Sequence, residues 1–126
     1  EPSDDDEYTW RSFTGWQIVD ELDPHSIADI KMWHIVNKPT FGDVNIWMDM
    51  YFADLVNWSG EGVEVTFCGT CTDICVVSNA LLMKANFLET KVSVDASCCA
   101  GVTPESHDNA LAAMQMCQIG IVNKGE

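Results

Sequence analysis

Apolar and polar residues follow two regimes along this chain. Residues 1–8 carry almost no apolar side chains, whereas from residue 63 onward short β-branched runs alternate with longer stretches of helical period. VEVTFC (63–68) is an apolar run too brief for a helix, bounded by glycines, and predicts a strand. TDICVVSNALLMKANF then opens on Thr72 and Asp73, both helix-capping types, and sets Ile74, Val77, Leu81 and Ala85 on one stripe, which predicts a helix. KVSVDA (91–96) predicts a second buried strand. TPESHDNALAAMQMC (103–117) predicts a second helix, with Thr103 as cap and Pro104 at the first helical position, where its missing N–H costs nothing. IGIVN closes the chain as a strand. This alternation makes a parallel sheet with right-handed crossovers, and predicts an α/β, three-layer, Rossmann-like fold with a mostly parallel sheet.

Upstream the pattern is looser. SFTGWQIVDELD reads as a loop and a short turn, with Pro24 blocking a long helix. IKMWHIVNK predicts a strand over 31–37, and Pro39 pushes Lys38 into extended geometry. From Asn45 to Trp58, apolar groups at Ile46, Met50, Tyr51, Leu55 and Trp58 recur near the helical period, and Gly60 and Gly62 can close that helix. The expected organisation is an acidic tail over 1–12 and one folded domain over 13–126, with no internal repeat.

Composition narrows the functional classes. A chain of 126 residues with 47% apolar content has enough material for one core without staples. Its formal charge of −14 repels phosphate backbones and anionic lipid surfaces, which argues against nucleic acid and membrane as partners. No run approaches 18 apolar residues, and the N-terminus lacks the positive flank and apolar stretch of a signal peptide, so the expected location is cytoplasmic. The six cysteines are accordingly expected to be reduced thiols rather than a disulfide set.

Three of those cysteines lie in TFCGTCTDICV (66–76), past the end of a predicted strand, where open parallel sheets place their ligands. Cys68, Cys71 and Cys75 form C-x2-C-x3-C, which completes neither a zinc knuckle pair nor an iron–sulfur run. Free cysteine is also a common buried filler, the reading adopted for Cys68, Cys98, Cys99 and Cys117. Cys75 differs because it falls in the first turn of a helix, where unpaired N–H groups and the dipole favour an anion and bias the thiol toward thiolate. A nearby lysine would strengthen that bias, and Lys38 is the lysine placed at a strand's carboxyl end. Backbone N–H groups at the strand-to-helix turn can also face an oxyanion, which makes acyl transfer from an amide or ester the natural reaction class. His107, early in the second helix, shares that end of the sheet and reads as a surface histidine more readily than as a base.

FCGTCTDICVVSNALLMKANF, followed by KVSVDASCCAGVTPESHDNALAAMQMC, resembles the isochorismatase-like cysteine hydrolases and, within them, the nicotinamidase-related amidases. TDICV is similar to that family's nucleophile motif, and GWQIVDEL with NKPTFGDVN is similar to the segment carrying its catalytic lysine. The resemblance covers residues 13–123. It implies that Cys75 is the nucleophile, that Lys38 supports the thiolate and the transition state, and that the Thr70–Cys71 bond is cis. It further implies an oxyanion hole of the Cys71 and Cys75 backbone amides, and a thioester intermediate hydrolysed by water on a small amide substrate. Trp16 and Phe41 flank the site in sequence and could stack on a flat ring, or serve the core. Two departures stand out. No strand ending in the family's general acid–base aspartate precedes residue 13, so the first family strands are expected to be missing. Where nicotinamidases place part of a metal site, this chain has Tyr8 and Thr9. Zinc or another divalent metal is thus possible in the family, but no ligand set carries over and no cofactor is expected. Loss of central strands would bare sheet edges, which predicts a homo-oligomer or a weakened, non-enzymatic binding or assembly module as the alternative.

Overall fold

The computed structural model describes residues 36–46, 48 and 61–125. Within them, β1 (Glu64–Thr70) leads through a π-helical turn, Thr72–Val76, into α1 (Val77–Asn86). β2 (Lys91–Ala100), α2 (Pro104–Met116) and β3 (Gly120–Val122) follow. The three strands pair in the order β1-β2-β3, and both pairings are parallel. An α/β fold with a parallel sheet is therefore what the alternation of short β-branched runs and longer amphipathic stretches produces.

Burial explains why these segments form these elements. Along β2, Val92, Val94 and Ala96 are buried while Ser93 and Asp95 between them are partly exposed, the period-two signature of a strand with one covered face. That face meets Ala80 and Met83 of α1, Phe87 just beyond it, and Ala110, Leu111 and Met114 of α2, with Val76 and Ile119 completing one core. Burying a side chain such as Leu111 contributes about 1.5–3 kcal/mol. At its start α2 closes a capping box: the Thr103 side chain accepts the Ser106 amide at 3.0 Å, and the Ser106 hydroxyl accepts the Thr103 amide at 3.0 Å. It ends where Gln118 takes a positive φ of 66° and the Ile119 amide reaches back to the Met114 carbonyl at 3.1 Å.

Several expectations change. The buried stripe of α1 and its flanks is Val76, Ala80, Met83 and Phe87; of the stripe expected from spacing, Val77 and Leu81 only pack against the core margin and Ala85 is exposed. The segment is apolar over so much of its circumference that two overlapping stripes fit, and contact with β2 selects between them. Val36 and Asn37 are not in a strand, and the rest of the strand expected over 31–37 lies outside the described residues. Ile46 and Met48 are helical, and the remainder of the helix expected to Trp58 lies outside them as well. Cys68, Cys98 and Cys117 are exposed, so the buried-filler reading does not hold for them, whereas Cys99 is partly buried and packs against the core; all six cysteines are unpaired.

The exposure of Cys98 has a local cause. Register runs Phe67↔Val94 and then Gly69↔Cys99, so four residues of β2, Asp95–Cys98, oppose the single Cys68 of β1. This bulge turns Ser97 and Cys98 outward at the carboxyl end of the sheet. Opposite it, Gly69 takes φ 123°, which a side chain would strain.

Candidate active site

The strand-to-helix connection after β1 is tightly folded. The Thr70–Cys71 peptide bond is cis. The Cys71 carbonyl accepts the amides on either side of Cys75, from Ile74 and from Val76, each at 3.1 Å; the second is the i→i+5 bond that makes the turn π-helical. Cys75 sits in this turn and is partly buried.

Neither Thr72 nor Asp73 caps the helix, contrary to expectation: the residue before the turn is Cys71, and no side chain caps it. Their polar groups are spent on α2 instead. Thr72 is fully buried and its hydroxyl pairs with His107 Nδ1 at 2.7 Å, which satisfies a group that burial would otherwise penalise. Both carboxylate oxygens of Asp73 accept the Val102 amide, at 3.2 and 3.3 Å. The Ser106 hydroxyl, the Val102 amide and the charge of His107 hold the Asp73 carboxyl below its ordinary range, against an opposing effect of desolvation. The approach needs a glycine: a Cβ on Gly101 would stand 2.8 Å from the His107 Cβ. His107 thus ties the turn carrying Cys75 to α2 through Thr72.

Lys38 lies on an exposed loop whose connection to the turn runs through one side chain. The Lys38 ammonium donates to the Thr40 and Phe41 carbonyls at 2.8 and 2.9 Å. The same Phe41 carbonyl accepts Asn79 Nδ2 at 3.3 Å, and that nitrogen also donates to the Cys75 carbonyl at 3.0 Å. Asn79 Oδ1 accepts the Asp43 amide at 2.8 Å. Three hydrogen bonds therefore link the Lys38 nitrogen to the carbonyl of Cys75. Gly42 lets the loop lie close to α1, since a Cβ there would meet Leu82 Cδ1 at 3.0 Å and the Ser78 Cβ at 3.1 Å. Asp43 Oδ1 accepts the Asn45 amide at 2.9 Å, while its Oδ2 is buried without a hydrogen-bond partner.

The structure thus brings Lys38, Phe41 and Cys75 into one bonded neighbourhood, with Cys71 at the start of the turn. The Phe41 ring is exposed, at 67%, so it belongs to no core. Trp16 lies outside the described residues. Burial pushes the Cys99 thiol up, opposed by the Gly69 backbone and reinforced by Cys68, Asp95 and Cys98 nearby. Among the described residues no group of three or more His, Cys, Asp or Glu is arranged to hold a metal ion. Sequence reasoning missed Asn79, Thr72 as the partner of His107, and Asp43. The first was within reach, because Asn79 stands four residues after Cys75 and an amide at that helical spacing can meet the earlier carbonyl.

Comparison with known proteins bears on the family and the fold. The isochorismatase domain family matches residues 4–123. Among solved structures, the pyrazinamidase of Pyrococcus horikoshii, determined in complex with zinc, superposes with a TM-score of 0.53 at 23% identity, covering 68% of this chain. The chain spans 45% of the length of that enzyme. No curated protein matches in sequence.

Proposed function

The chain belongs to the isochorismatase family, and from that membership we propose that it is a cysteine-dependent hydrolase of a small amide, nicotinamidase-like, acting through a thioester. Cys75 is the nucleophile. Its sulfur attacks the amide carbonyl carbon, and the oxygen takes up negative charge facing the backbone amides of Cys71 and Cys75. Collapse breaks the C–N bond and releases ammonia, leaving the acyl group on sulfur. Water then cleaves the thioester to the carboxylic acid and restores the thiol. Lys38 supplies positive charge for the thiolate and the transition state, and Phe41 offers its exposed ring to a flat substrate.

The observation that carries this reading is the hydrogen-bonded path from the Lys38 nitrogen through Phe41 and Asn79 to the carbonyl of Cys75. A family member without activity, serving as a binding or assembly module, is the second reading. It is favoured by the Lys38 ammonium being occupied with its own loop's carbonyls. Ammonia release from nicotinamide separates the two. The hydrolase reading expects turnover that Cys75→Ala lowers by roughly a thousandfold or more. It expects Lys38→Ala to lower turnover by roughly a hundredfold or more with stability held within about 0.5 kcal/mol, as for an exposed side chain. Equal background release from all three proteins, with nicotinamide and with pyrazinamide, supports the module.

A further inference from the structure

We propose that Asn79 is a positioning residue, a latch that holds the Lys38 loop against the turn carrying Cys75; the inference rests on the hydrolase reading for its purpose and on geometry for its existence. The Asn79 side chain uses both ends of its amide. Its oxygen accepts the Asp43 amide at 2.8 Å, and its nitrogen donates to the Phe41 and Cys75 carbonyls at 3.3 and 3.0 Å. One partner is an N–H and the other two are carbonyls, so only this orientation of the amide satisfies all three. Alanine would leave those groups to water, and aspartate would set an anion against two carbonyl oxygens.

The consequence reaches Lys38 because the Phe41 carbonyl is shared between the lysine and Asn79. Releasing the carbonyl from Asn79 frees the loop segment that carries the ammonium. Asn79 touches neither thiol nor substrate in this scheme, and acts by fixing where the charge of Lys38 stands relative to Cys75. A displacement of the order of 1 Å in such a group can cost a factor of about 100 in rate. The close passage of Gly42 over Ser78 and Leu82 shows that the loop is seated at this place, with the latch at its centre.

Two readouts test the latch in the full chain. The first is hydrogen exchange of the Asp43 amide, measured by nuclear magnetic resonance in wild type, Asn79→Ala and Lys38→Ala. The latch requires Asn79→Ala to speed exchange at Asp43 by roughly tenfold or more while Lys38→Ala leaves it protected. The second is the rate of Cys75 alkylation by iodoacetamide in the single and double variants. Asn79→Ala is expected to slow it by roughly tenfold when Lys38 is present and to add nothing in the Lys38→Ala background. Unchanged Asp43 exchange overturns the latch. So does an equal slowing of alkylation with and without Lys38, which would mean a general loosening of the helix. Loss of Asp43 protection in Asn79→Ala, together with a Lys38→Ala variant that alkylates at the wild-type rate, upholds the latch and instead removes Lys38 from the mechanism, so the two failures are distinguishable.

Discussion

The turn that carries Cys75 and the loop that carries Lys38 are held in place by different forces. On the turn, Thr72 and Val76 are buried, and Thr72 and Asp73 are tied to the start of α2, so the position of the sulfur is set by the same packing that stabilises the sheet. The loop contributes no residue to the buried core among those described; it is held by the Asn79 hydrogen bonds and by the near contact of Gly42 with α1. A site divided in this way has a rigid half and an adjustable half. On the proposed reading, moving Cys75 means disturbing its buried neighbours Thr72 and Val76, whereas Lys38 can be shifted through the one side chain of Asn79. Such partition is common where a loop supplies function on a scaffold that supplies stability.

Substitutions sharpen the contrast, beginning with the core. Met114 is fully buried against the sheet, so Met114→Ala is expected to lower unfolding free energy by about 2–5 kcal/mol in urea denaturation, with Cys75 reactivity falling alongside. An unchanged midpoint would show that the packed half is not packed. A smaller effect comes from the polar tie between turn and α2. Folding holds the Asp73 carboxyl below its ordinary range, so its contribution is present above the unfolded value near 4 and is lost as pH falls through the lower folded value. The stability gap between wild type and Asp73→Asn is therefore expected to narrow on acidification below about pH 4, followed by thermal unfolding across pH. A gap that stays constant over that window would mean that the Asp73 charge contributes nothing to the tie.

Legibility in the sequence divides along the same line. The strands β1, β2 and β3 and the helix α2 were readable because burial imposes a period, and because Thr103 and Pro104 announce a helix start. Thr72 and Asp73 also carry capping side chains, yet theirs face α2, and no local pattern distinguishes a cap from a tertiary tie. The bulge at Asp95–Cys98 was invisible because it is a property of the pairing between two strands and of neither alone. That is why Cys98, assigned to the interior from its place at a strand end, is exposed. In the candidate site, Cys75 stands out in the sequence by its place after a strand, and Lys38 by its place before Pro39 and by the family resemblance, although the strand expected to end before it is not formed at Val36 and Asn37. Asn79 does not, because its role depends on a loop nearly forty residues upstream arriving beside it.

The central claim of the proposed function is that Cys75 reacts apart from the other thiols because of its seat in the turn and because the Asn79 bonds tie the Lys38 loop to that turn. The direct measurement is site-resolved iodoacetamide labelling of all six cysteines at neutral pH, read by peptide mass spectrometry. Cys68, Cys98 and Cys117 are exposed whereas Cys75 is partly buried, so accessibility alone ranks Cys75 behind them. The account predicts that Cys75 labels first. Labelling in order of exposure, with Cys75 trailing the three exposed thiols, would contradict it.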